Sequence, residues 1–291
     1  MHAGFRCSCS APDDSENGND EMNLNTIVEV KRPRSIEDIE WRDGHAWLGG
    51  GTWLFSEPQA ATDTLVDLES LGWPALTATP RGLEIAATCK VAELHTFTGP
   101  QDWRAVPLIR DCIDAFLMSF KIWNAATVGG NICMSLPAGA MVSLTAALEG
   151  VCTLWPRNGK PREIPVVDFV TGNHMNVLQK GELLRSIHLP ASALSRRYAL
   201  RRASLTHLGR SAALIVGTAG DNGEDFVLTI SASTPRPVQL RFKKTPAAAG
   251  LRQAIDECLP AESWFEDVHG SAPYKRHITR YYAEQIRAEL A

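Results

Sequence analysis

The sequence contains no Cys-x-x-Cys pair, no His-Glu-x-x-His run and no block of like charge. Its seven cysteines, at 7, 9, 89, 112, 133, 152 and 258, are odd in number and scattered after the first two, so neither a zinc ribbon nor an iron–sulfur run can be drawn through them. They read as small buried hydrophobes in a reducing compartment. Lys and Arg number 29 against 33 Asp and Glu, a formal charge of −4, which gives no general field for a phosphate backbone. Small molecules and proteins are the expected partners. A chain of 291 residues lies near the size at which one core stops growing, so two domains are expected.

Residues 1–21 are rich in Asp, Glu, Asn and Ser and read as a disordered tail. They lack the apolar core of a secretory signal, which points to a cytoplasmic protein, and Met22 is a candidate start of translation or of folding. Ala125 to Leu148 contains no charge, but Gly129-Gly130-Asn131 and Pro137-Ala138-Gly139 break any single helix, so a strand, a turn and a buried helix are expected instead of a membrane span.

Elsewhere β and α signals alternate. Strands are expected at 46–48, 64–68, 83–87, 151–155 and 183–189, with Thr88 as cap of a helix through Leu94. Leu108, Ile109, Cys112, Ile113, Phe116, Leu117 and Phe120 recur at helical spacing and predict one amphipathic helix. After Pro190 the segments 198–200, 212–216 and 226–230, with Asp221-Asn222-Gly223 between the last two, predict an antiparallel sheet. Helices near 247–259 and 274–290 close the chain. The division is therefore 1–21 tail, 22–190 first domain and 191–291 second domain.

Two glycine-rich turns follow apolar strands. In Leu48-Gly49-Gly50-Gly51-Thr52-Trp53 the bare Cα atoms allow backbone N–H groups to converge on an anion, and Thr52 adds a hydroxyl. The second is Thr127-Val128-Gly129-Gly130-Asn131. Each is equally readable as a structural turn, and together they favour a pyrophosphate-bearing cofactor. The Gly-x-Gly-x-x-Gly spacing is absent, and Gly159-Lys160 is followed by Pro161, which excludes a P-loop. Arg196, Arg197, Arg201 and Arg202 form either a solvated edge strand or a clamp for phosphate or an acidic partner. Trp47, Trp53 and Trp123 are readable as core or as stacking platforms. No nucleophile–base arrangement stands out.

Taken in order, these segments resemble the FAD-binding medium subunit of the molybdenum hydroxylases, the family of xanthine dehydrogenase and carbon monoxide dehydrogenase. The resemblance extends from about Ile27 to Leu290. It runs through Lys31-Arg32-Pro33-Arg34-Ser35, the Gly49–Thr52 loop, Leu65-Val66-Asp67-Leu68, Gly82–Thr88, Ala126–Ile132, Gly181–Leu184 and Gly270-Ser271-Ala272-Pro273-Tyr274-Lys275-Arg276. It implies an α+β fold: a two-subdomain FAD-binding domain of the PCMH type, then an antiparallel sheet packed with helices.

By that resemblance Leu48, Gly49, Gly50, Gly51, Thr52 and Trp53 cradle the pyrophosphate. Thr127, Gly129, Gly130 and Asn131 line the second side of FAD, Leu184 lies against the ring system, and Arg201 falls where relatives place a Lys at the flavin. FAD is expected to be noncovalent, since neither loop contains His or Cys. An iron–sulfur subunit and a molybdenum-pterin subunit are the implied partners, and electrons pass through FAD to NAD or another acceptor. The sequence departs from the pattern at Ala140, where a carboxylate is usual, at Trp123, where an Arg is usual, and at Leu205-Thr206-His207. Ala140 and Trp123 motivate an alternative: a scaffolding or assembly subunit that has lost flavin.

Overall fold

The computed structural model describes residues 26–115 and 118–291. The expected tail, Met22, Phe116 and Leu117 lie outside them. The first strands, β1 (Glu29–Lys31), β2 (His45–Leu48) and β3 (Thr64–Asp67), form a parallel sheet in the order β1-β3-β2. Thr64, Leu65 and Val66 are all buried, as befits a central strand covered on both faces. Past Asp67, whose carboxylate accepts from the Glu69 amide, a short 3-10 turn ends on the left-handed Gly72 and leads into the second subdomain.

There β4 (Leu76–Thr79) and β5 (Gly82–Ala86) form a hairpin, followed by helices α1 (Val91–His95), α2 (Pro107–Ala115), α3 (Phe120–Ala125), α4 (Val128–Met134) and α5 (Ala140–Ala147). The strands β6 (Val151–Trp155) and β7 (Arg162–Pro165), the short α6 (Val166–Phe169), a small hairpin β8 (Val170–Gly172) and β9 (Met175–Asn176), and β10 (Leu183–Pro190) complete the subdomain. Its sheet is antiparallel in the order β4-β5-β10-β6-β7, with Ile187 opposite Ile85 on one side and Cys152 on the other.

After α7 (Ala191–Leu194) the chain enters a four-stranded antiparallel meander, β11 (Arg197–Ala203), β12 (Ala213–Ala219), β13 (Glu224–Ser231) and β14 (Val238–Lys244), then α8 (Ala248–Cys258) and α9 (Ala272–Leu290). One face of this meander packs on α9. The other packs on α5 and α2. Every residue of α5 is buried, which explains the charge-free stretch from Ala125 to Leu148: a helix enclosed on all sides has no polar face to offer.

Three expectations are corrected, and one strand had not been read. The helix read from Leu108 to Phe120 is two helices; Phe120 opens α3 and is 72% exposed, so it belongs to no apolar stripe with Leu108. Thr88 does not cap α1. Lys90 does, its amide donating to the Glu93 carboxylate at 2.9 Å. Gly129-Gly130-Asn131 is no turn after a strand but the first turn of α4, because Thr127 supplies a helix cap. Lastly β14 was not anticipated, although Val238, Leu240 and Phe242 alternate; Phe242 lies opposite Phe226, their rings 6.0 Å apart.

Candidate cofactor site

The parallel β2 ends at Leu48, and the glycine loop follows at the carboxyl edge of the sheet, where α/β proteins bind ligands. A Cβ on Gly50 would lie 1.8 Å from the Ala125 carbonyl oxygen, so this loop rests directly on the backbone at the end of α3. A Cβ on Gly49 would lie 3.0 Å from Thr127 Oγ1. The two glycine segments, distant in sequence, are thus in contact. Gly51 is left-handed (φ 69°), with the Phe55 ring against its Cα. Among the described residues no acceptor takes the N–H groups of Gly50, Gly51, Thr52 or Trp53. Successive amides without a protein acceptor on a glycine turn are donors that an anion can take. Trp53 is 38% exposed and lies against His174, ring centroids 5.5 Å apart.

The second segment differs. Val128 N–H donates to Cys89 O at 2.9 Å, Gly129 N–H to Ala87 O at 3.0 Å, and Gly130 N–H to Thr127 Oγ1 at 3.0 Å. The first turn of α4 has spent its donors inside the protein. Gly129 is needed for packing, since a Cβ there would meet that of Ala87 at 2.5 Å. The Asn131 Oδ1 accepts from the Met141 amide at 3.1 Å and so caps α5. Thr127 therefore meets the first loop, Gly130 is exposed beside it, and Gly129 and Asn131 hold the frame.

Arg201 is not brought to the loops, whereas Leu184 precedes Arg185, whose carbonyl accepts from the Ala87 amide beside Gly129. Leu184 is 3% exposed in the core of the five-stranded sheet, opposite Leu154, and presents no open face to a ring. Arg201 extends from the other face of β11 to Gln285 and Glu289 on α9. Its neighbours are equally engaged. Arg196 meets Glu149, Arg197 donates to Leu290 O, and Arg202 donates to Ser211 and Gly209 O. The arginines at and beside the edge strand β11 are bonded within the protein and form no open clamp.

Ala140, where a carboxylate was expected, is the first residue of α5 and 1% exposed; the side chain of Asn131 reaches the next amide instead. Trp123 packs on His95 at 4.7 Å. Trp47 serves the core, stacked on Trp41 at 4.2 Å and donating to Glu182 O at 3.1 Å. Glu182 is itself buried and held bidentately by Arg162 at 2.7 Å, and that hydrogen bond pulls its carboxyl below the usual range. Sequence reasoning did not single out Phe55, His174 or the Ala125 carbonyl, and gave Glu182 no role within its motif. Only Phe55, four residues past Gly51, carried a local signal.

Residues 28–192, more than half of the chain, match the family described as the FAD binding domain in molybdopterin dehydrogenase. The chain belongs to that family. It is 23% identical over 246 residues to the carbon monoxide dehydrogenase medium chain of Hydrogenophaga pseudoflava, covering 80% of this chain and 82% of that one. A shorter stretch of 120 residues is 32% identical to xanthine dehydrogenase of Oryza sativa subsp. japonica, covering 38% of this chain and 8% of that protein. Among solved structures, quinoline 2-oxidoreductase from Pseudomonas putida 86 superposes with a TM-score of 0.73 at 17% identity, over 90% of this chain and 95% of that one. Carbon monoxide dehydrogenase from H. pseudoflava gives 0.73 at 18% identity, over 89% and 96%. These likenesses establish the α+β fold. FAD is the cofactor of the family, and the free amides and bare Cα atoms of Gly50 and Gly51 fit its diphosphate.

Proposed function

We propose that this chain is the flavin-carrying subunit of a molybdenum hydroxylase-type oxidoreductase. Four unpaired amides from Gly50 to Trp53, seated on the second glycine segment, carry this reading. The loop would hold the diphosphate through backbone N–H groups and the Thr52 hydroxyl. Thr127 and the Ala125 carbonyl fix the loop from below, and Trp53 and Phe55 flank it. FAD, when bound, supplies the exchange between one- and two-electron transfer, while the protein supplies position and electrostatics. FAD is noncovalent in this reading. The molybdenum-pterin and iron–sulfur clusters belong to partner subunits, and NAD or another acceptor takes the electrons. Among the described residues no helix is long and apolar enough to cross a membrane, and a cytoplasmic location is part of the proposal.

A second reading, a scaffolding subunit without flavin, is favoured by the spent amides of α4, the buried Leu184 and the alanine at 140. Gentle purification followed by absorption spectroscopy separates the two. About stoichiometric flavin, released by acid and identified as free FAD, supports the first; colourless protein that takes up no added FAD supports the second. Co-purification of a molybdenum and an iron–sulfur chain tests the partners. Their absence from the native complex would overturn that part of the proposal.

A further inference from the structure

Beyond β13 the chain continues as Ala232-Ser233-Thr234, buried between the two domains. Ala232 is left-handed (φ 64°), a conformation an alanine holds only when its surroundings impose it. Its N–H donates to Pro137 O at 2.8 Å, in the connection between α4 and α5. Its carbonyl accepts from Lys275 Nζ at 3.3 Å. One peptide segment is therefore gripped from the first domain at one end and from α9 at the other. Two hydroxyl contacts run parallel to it: Ser231 to Ser143 at 2.6 Å, and Thr279 to Ser233 at 2.9 Å.

Lys275 is fully buried. An ammonium there is costly unless paired, and Asp267 Oδ1 pairs it at 2.8 Å. Charge balance alone does not require the contact to Ala232. That contact joins the lysine to the residue whose N–H donates to Pro137 O, at the start of the turn 137–140, which is followed by Met141, the residue capped by Asn131.

We infer that Lys275 is a positioning residue for the cofactor site: through the backbone of Ala232 it fixes the turn between α4 and α5, and through Met141 it fixes Asn131. The geometry stands on its own, and only the effect on FAD rests on the proposed function. The test compares the wild-type chain with Lys275→Met and Lys275→Arg, measuring deuterium uptake of residues 137–142 and FAD affinity by flavin fluorescence.

Lys275→Met is expected to speed exchange in 137–142 and to weaken FAD about threefold, and Lys275→Arg to recover most of both. Unchanged exchange in 137–142 for the Met variant overturns the inference, as does weakened FAD binding that the Arg variant leaves uncorrected. If the wild-type chain takes up no FAD, the proposed function fails and exchange alone decides the positioning. If Lys275→Met does not fold, Thr279→Val cuts the neighbouring grip on Ser233; a smaller rise in exchange over 137–142 supports the inference, and none overturns it.

Discussion

The two glycine segments look alike in sequence and use glycine for different ends. At Gly50 and Gly51 the missing side chain leaves donors open and lets one loop lie on the backbone of another. At Gly129 it lets α4 close on the end of β5, and every nearby donor is consumed in doing so. A glycine pair thus marks close approach of backbone, and only the hydrogen-bond accounting distinguishes a ligand cradle from a packing joint.

The sharpest test of that contrast is Gly50→Ala. Its Cβ would collide with a main-chain carbonyl that cannot turn aside, at a cost of about 3 kcal/mol, and FAD uptake should be lost; calorimetry and flavin titration would show both. Gly129→Ala should cost about 2 kcal/mol through its clash with Ala87, while the folded protein keeps FAD affinity within about threefold, since no free donor is disturbed. Equal loss of FAD in the two variants would erase the distinction.

Thr127→Ala removes the cap of α4 and should cost about 1 kcal/mol, or about 2–4 °C in Tm for a chain of this size. The smallest effect lies at the amino-terminal edge of the parallel sheet, opposite the first loop, where Arg42 grips Asp63 and holds its carboxyl at about 2. A carboxyl lowered on folding stabilises above its unfolded value near 4 and loses that contribution as pH falls toward 2. Asp63→Asn should therefore melt slightly below wild type at neutral pH and match it near pH 2.

The strands were legible where apolar runs were short and bounded, as at Leu83–Ala87 and Leu183–Leu189. The buried α5 was legible from its lack of charge. The split between α2 and α3 was not, because Phe120 continues the helical spacing while pointing to solvent. Of the candidate site, the two glycine segments could be reached from the order of motifs, but their direct contact through Thr127 could not. That Arg201 turns to α9 could not, since a strand's alternation gives two faces without saying which of them a distant helix will cover. Nor could the fate of the α4 amides be read locally: their acceptors, Ala87 and Cys89, lie some forty residues upstream.

Enclosure of α5 has one more consequence. The stretch that matches the family ends at residue 192, yet Leu194 and Val216 lie in the same apolar core as Leu144, with Tyr198 and Leu200 packed on it. The Tyr198 hydroxyl donates to Asp111, and burial together with that bond pushes its pKa up. A protein cut at 192 would present the whole outer side of α5 to water. What can be recognised as a unit in the sequence is here smaller than what can stand alone in solution.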